Sequence, residues 1–189
     1  GTMDAVALAP ADVDDAAAAG AQVVALQDTL RSLWLNNRDE ALTNVSVRQA
    51  LRDAVEWDTV YDYLRSVGEI PATGYIAPAA VTENGELYRQ ENERPAFRTD
   101  VAQAQTELGA GLAALYPEKK SPALPSLTVL AAEDETSANL ARYLIQSWQK
   151  NLHLKCTLTL VPEEQLLSRL KRGSYQVAIA TVTADGLSG

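Results

Sequence analysis

The chain has 189 residues, 47% of them apolar, and a formal charge of −9. That apolar content supports a buried core and excludes a disordered chain. No run approaches the ~20 apolar residues of a membrane span, and the acidic balance excludes a basic surface for nucleic acid.

Gly1-Thr2-Met3 reads as a cloning scar. Pro10 to Ala19 reads as a short helix with Asp12 as its cap and Gly20 as its stop. Gln22 to Leu26 is a candidate strand. Leu30 to Asn36 alternates as a second one, with Leu33 and Leu35 on one side and Trp34 on the other. Val45 to Val55 has Val47, Ala50, Leu51, Ala54 and Val55 on one helical face, with Asn44 or Thr43 as the cap. Trp57-Asp58 is expected to break that helix. Asp58 would cap a second one through Val60, Tyr61 and Leu64, ended by Gly68. Ile70 to Pro78 carries prolines and a glycine at spacings no helix accepts, and Thr82 to Pro95 is polar and irregular.

Thr99 to Leu115 is a third helix, capped by Thr99 or Asp100, with Val101, Ala104, Leu108, Leu112 and Leu115 as its apolar stripe. Gly109 and Gly111 are expected to weaken its middle. After the proline-rich segment Pro117 to Ser126, the pattern becomes strand, helix, strand, helix, strand. Leu127 to Ala131 is a short apolar run. Glu133 to Ser137 is an acidic, hydroxyl-rich helix start, and Ala141, Leu144, Ile145, Trp148 and Leu152 line the helix that follows. Leu154 to Leu160 alternates strictly. Pro162 opens a helix striped by Leu166, Leu167 and Leu170 and closed by Lys171, Arg172 and Gly173; Tyr175 to Thr181 is the last strand. Strands joined by such helices run parallel in one sheet with right-handed crossovers, and ligands collect outside their carboxyl ends. Here those ends lead into Ala131-Ala132-Glu133, Val161-Pro162-Glu163 and the stretch from Thr181 to Asp185.

The single cysteine, Cys156, and single histidine, His153, rule out an internal disulfide and any cysteine–histidine metal site. Cys156 reads as a buried inert thiol and His153 as a surface turn residue. No glycine-rich phosphate loop, nucleophile elbow or triad motif is present, so no catalytic residue, metal or cofactor is assigned. The strand ends do gather Glu133, Asp134, Glu135, Glu163, Glu164 and Asp185, the only basis for an alternative, carboxylate-based enzyme. Arg48 is expected to hold a loop by hydrogen bonds, Trp148 to be core and Trp57 to pack at the surface or at a helix junction.

Asn44-Val-Ser-Val-Arg-Gln-Ala-Leu51, preceded by Leu33 to Asn36, resembles the "N…VRVRQAL" segment of family 5 extracellular solute-binding proteins, the oligopeptide, dipeptide and nickel receptors of bacterial ABC transporters. Ile70 to Pro78 is similar to that family's "PATGFIPP" stretch, Val101 to Leu108 to its "A..LL.EAG" helix, and Trp148 to Leu154 and Leu167 to Tyr175 to its "L.K.G..V" and "L..G.YD" segments. The resemblance runs from Ala9 to Asp185. It implies an α/β fold: a periplasmic-binding-protein type II lobe with a central, mostly parallel sheet and helices on both faces. Residues 4–36 would be the end of the first lobe and a hinge-crossing strand, and residues 37–189 an incomplete carboxyl-side ligand-binding lobe.

The resemblance also implies the partners: a small-molecule or peptide ligand, an ABC transporter permease, and the first lobe of the same protein. It implies an extracytoplasmic location, in the periplasm or as a surface lipoprotein. Thr183-Ala184-Asp185 matches the second half of the family's "W.AD" pattern, so Asp185 inherits the role of binding a peptide amino group. Val182 stands at the tryptophan position. Glu163 or Glu164 stands where an aromatic residue is frequent, and Ile179 where some members have a basic one. The ligand-binding residues expected from this match are Asp185, Thr183, Val182 and Glu163, with Trp34 on the hinge strand as a further contact. A receptor-fold sensor or interaction module without transport is the alternative.

Overall fold

A computed structural model describes residues 8, 12–23, 29–72, 74, 84–86 and 96–183, Thr183 by its backbone. Among the described residues a four-stranded sheet forms the centre: β1 (Thr29–Leu35), β2 (Leu127–Ala132), β3 (Cys156–Val161) and β4 (Val177–Thr183), in the order β1-β4-β2-β3. β2 pairs parallel with both β3 and β4, as their spacing predicts, while β1 pairs antiparallel with β4 over its whole length.

Helices cover both faces. On one lie α2 (Val45–Asp53), α3 (Trp57–Ser66), α4 (Val101–Leu115) and α5 (Glu135–Leu152), packed over Leu127, Val129, Ala131, Val177 and Ile179. On the other, α6 (Glu163–Arg172) presses Leu166 against Leu130, Ala132, Val161, Ala178 and Ala180. The alternation of β2 and β4 thus serves two cores at once. α1 (Val13–Ala18) precedes the sheet and buries no residue.

Local sequence explains the helix ends. Asn44 accepts from Ser46 N–H and caps α2; Asp100 accepts from Gln103 N–H and caps α4; Asp134 accepts from Ser137 N–H and caps α5. Gly173 adopts φ 67° and ends α6 as expected. At α3 the expectation fails: the helix begins at Trp57 itself, so Asp58 lies in its first turn rather than capping it. The Trp57 N–H goes instead to Thr99 Oγ1 (3.0 Å), whose hydroxyl donates to Val55 O (2.6 Å). The α2–α3 corner is therefore clipped by the residue before α4. In the candidate strand at 22–26, residues 22 and 23 have no regular structure and 24–26 lie outside the described residues. So do most of the loops expected at 70–78 and 82–95.

The fully buried Trp148 donates from Nε1 to Leu51 O (2.7 Å), and Asn151 donates from Nδ2 to Ala54 O (2.8 Å). These two side chains of α5 satisfy carbonyls at the carboxyl end of α2 that the helix itself leaves open. Arg48 donates to the carbonyls of Leu42 (2.7 Å) and Thr43 (2.8 Å), the loop-holding role its position suggested. Gly111 is not merely a weak point. A Cβ there would meet Val47 Cγ2 at 2.6 Å and Val47 N at 3.0 Å, so this glycine lets α4 cross α2 closely.

Candidate functional site at the strand carboxyl ends

β2 leads into α5 on one face of the sheet, and its neighbour β3 leads into α6 on the other. Connections that part in this way open a crevice between the strand ends. The ends that part here are Ala132-Glu133 and Val161-Pro162-Glu163, joined by Glu133 N–H donating to Val161 O (3.1 Å). Glu133 and Glu163 are both exposed there. Val182 and Thr183 end β4 at the same end of the sheet.

The structure therefore brings Val182, Thr183 and Glu163 to one end. It does not bring Trp34 to them. Trp34 pairs with Ala178 near the amino end of β4, whereas Leu30 pairs with Val182 and Thr29 with Thr183. At ~3.3 Å per residue, Trp34 lies roughly 15 Å down the sheet from the strand ends. It is 38% exposed and lines a groove beside β1. Asp185 lies outside the described residues.

Sequence reasoning missed the best-anchored charge at this end. Arg31 sits opposite Thr181 and makes a fork to Glu69, with Nη2 to Oε1 at 2.8 Å and Nε to Oε1 at 3.1 Å. Its Nη1 donates to Ser137 Oγ (2.5 Å) and lies 3.8 Å from Asp134 Oδ1. Each partner is delivered by its own local rule. Gly68, at φ 78°, turns the chain after α3 so that Glu69 N–H reaches Leu64 O (2.8 Å), which aims Glu69 back at β1. Asp134 and Ser137 are the cap and third residue of α5. The signal available in sequence was a lone arginine in phase with Leu33 and Leu35, on the side of β1 that meets the core.

Burial works against the ionised Asp134 carboxylate. Hydrogen bonds from the Ser137 hydroxyl and N–H and the nearby Arg31 outweigh it and hold this carboxyl below its ordinary value. Arg31 thus stands between two carboxylates, and with Glu133 and Glu163 the crevice end is acidic. Such an end suits a cationic ligand group. Burial pushes the Cys156 thiol up to about 11, which keeps it protonated and unreactive at neutral pH. His153 is exposed, at φ 55° after the last turn of α5. Among the described residues, no group of three or more His, Cys, Asp or Glu could hold a metal ion, and no helix is long and apolar enough to cross a membrane.

Solved structures with this architecture are type II periplasmic binding proteins. The OppA of Listeria monocytogenes bound to peptide superposes with a TM-score of 0.70 at 20% identity, over 83% of this chain and 31% of that one. The substrate-binding domain of an oligopeptide ABC transporter from Bacillus anthracis gives 0.67 at 16%, over 86% and 32%. The murein tripeptide binding protein MppA of Escherichia coli gives 0.61 at 20%, over 83% and 29%. The chain thus spans about a third of the length of these relatives. No curated protein matches the sequence. The family model described as bacterial extracellular solute-binding proteins, family 5 Middle, matches residues 1–189, and the chain belongs to that family.

Proposed function

We propose that this chain forms most of one lobe of a receptor that captures a peptide and presents it to an ABC transporter permease. The observation that carries the reading is the parting of the β2 and β3 connections to opposite faces of the sheet, with Glu133 and Glu163 exposed at the strand ends, in a family whose solved relatives include peptide-bound and peptide-binding proteins. The ligand's ammonium group would lie against Asp185, just after β4, with Thr183, Val182 and Glu163 at the same mouth. Valine at 182 offers no stacking surface, so recognition here is by charge and main chain rather than by an aromatic clamp. Trp34, near the other end of β1, would stand away from a ligand held at this mouth. Residues 4–36 would connect to the first lobe, β1 being their link into this sheet.

Capture would be closure of two lobes around the ligand, a population shift toward the closed form, with no bond made or broken. An extracytoplasmic location, as a periplasmic protein or a lipoprotein, follows from that role. Calorimetric titration of a panel of di- to pentapeptides into the full-length protein and into the 189-residue chain tests it. The full-length protein is expected to bind members of the panel, and the lone lobe, lacking half the contacts, to bind none measurably. Micromolar binding by the lone lobe contradicts the two-lobe mechanism. No binding by the full-length protein contradicts peptide capture.

A further inference from the structure

Arg31 is placed against two local preferences. It lies in phase with Leu33 and Leu35, on the side of β1 that packs on the core, where a leucine would continue the apolar row. Its Nη1 meets Ser137 in the first turn of α5, at the helix end where unpaired N–H groups favour anions and disfavour a cation. Its side chain is only 20% exposed, so the guanidinium has also lost most of its water. Ion pairs held in this way are often no more stabilising than well-packed apolar side chains in their place. Stability alone is a weak reason for an arginine here.

Position is a stronger one. Arg31 joins three elements at the end of the sheet where the β2 and β3 connections part. Its backbone belongs to β1, its Nε and Nη2 fork onto Glu69 after α3, and its Nη1 holds Ser137 and faces Asp134. The start of α5 is tied on its other side by Glu133 N–H donating to Val161 O. Residues 132–134 therefore have two ties, one to β3 through the main chain and one to β1 through Arg31. A planar guanidinium reaches Glu69 and Ser137 at once, whereas the ammonium of a lysine is a single point charge and cannot fork.

We propose that Arg31 is a positioning residue for peptide capture: by tying the first turn of α5 to β1 and to the segment after α3, it fixes the wall at 132–134 beside which the peptide's amino end lies. The inference rests on the reading of the chain as a peptide receptor, and it concerns a side chain that acts through its neighbours. Charge and position predict opposite outcomes. Arg31 offsets Glu69 and Asp134, so an action by charge alone means that its removal leaves the mouth more acidic and tightens the hold on an ammonium group. An action by position means that removal weakens that hold.

Arg31→Met and Arg31→Lys, made in the full-length protein, test it. Each is melted without peptide, then titrated by calorimetry with the di- to pentapeptide that the unaltered protein binds most tightly. Arg31→Met is expected to melt with the unaltered protein and to bind at least ~10-fold more weakly, because a loosened wall loses its preorganisation. Arg31→Lys, which keeps the charge and loses the fork, is expected to bind more weakly as well. Binding by Arg31→Met as tight as that of the unaltered protein, or tighter, would overturn the proposal. If Arg31→Met melts far lower, Arg31→Lys decides: unchanged binding by this folded variant would assign Arg31 to the fold alone and overturn the proposal, and weakened binding would support it. Failure of the unaltered protein to bind any member of the panel would overturn the receptor reading itself, and this assignment with it.

Discussion

Two glycines two positions apart in α4 should respond to alanine with opposite signs. At Gly109 a Cβ meets nothing within 4 Å, and the residue is exposed. Gly109→Ala therefore gains only helix propensity, about 1 kcal/mol. At Gly111 the same gain applies, but the new methyl would lie 2.6 Å from Val47 Cγ2, 3.0 Å from Val47 N and 3.2 Å from Asn44 Oδ1. Val47 is fully buried, and its backbone begins a helix that Asn44 caps, so neither can retreat without moving α2. Overpacking of this kind costs about 1–3 kcal/mol. The net for Gly111→Ala is then a loss of roughly 1 kcal/mol, and the two variants differ by about 2 kcal/mol. Urea denaturation followed by circular dichroism measures both. In a chain of this size each kcal/mol moves Tm by about 2–4 °C, so thermal scans should separate the pair by roughly 4–8 °C. If Gly111→Ala proves as stabilising as Gly109→Ala, α2 and α4 do not cross at the distance described.

The caps that α5 places on α2 predict the next losses: Trp148→Phe leaves the Leu51 carbonyl without its indole donor and opens a void, for about 2–4 kcal/mol by denaturant titration. Asn151→Ala should lose about 1–3 kcal/mol by orphaning the Ala54 carbonyl, and no measurable loss would show that the bond is not formed. Asp134 has a depressed folded-state value, so its contribution is present above the ordinary carboxylate range and is lost as pH falls through the lower folded value. Asp134→Asn keeps a good cap but removes the charge. The wild type should thus be the more stable of the two at pH 7, and the gap should close as the pH is taken below about 3. A gap that widens on acidification would reverse the assignment. Cys156, with its thiol pushed up to about 11, should react with iodoacetamide at pH 8 roughly a hundredfold more slowly than a free thiol, and at the free rate once unfolded.

Much of this architecture was legible from residue order. The run from Leu127 to Thr181 alternates its periods cleanly, with Asp134 as a cap, Pro162 before a helix and Gly173 as a left-handed stop, so element type and parallel pairing follow from local chemistry. What was not legible depends on partners distant in sequence. Arg31 meets Glu69 across 38 positions and Ser137 across 106, and no local rule foretells either. Gly111 reads as a weakness until Val47 is brought against it. For Trp34, alternation predicts a face of β1 but not an end. The end is set by the register with β4, which places Trp34 beside Ala178 and away from the crevice. The start of α3 was misread because its first N–H is satisfied by Thr99, from the far side of a long connection.

The central claim is that the carboxyl ends of β2, β3 and β4 form one wall of a peptide cleft. Photo-cross-linking tests it most directly, using peptides with a benzophenone next to the amino terminus, full-length protein, and mass-spectrometric mapping of the adducts. The account predicts adducts at residues 132–134, 161–163 and 181–185, competed away by unlabelled peptide. Adducts concentrated instead at residues 36–38 and 173–176, at the opposite end of the sheet, would contradict it.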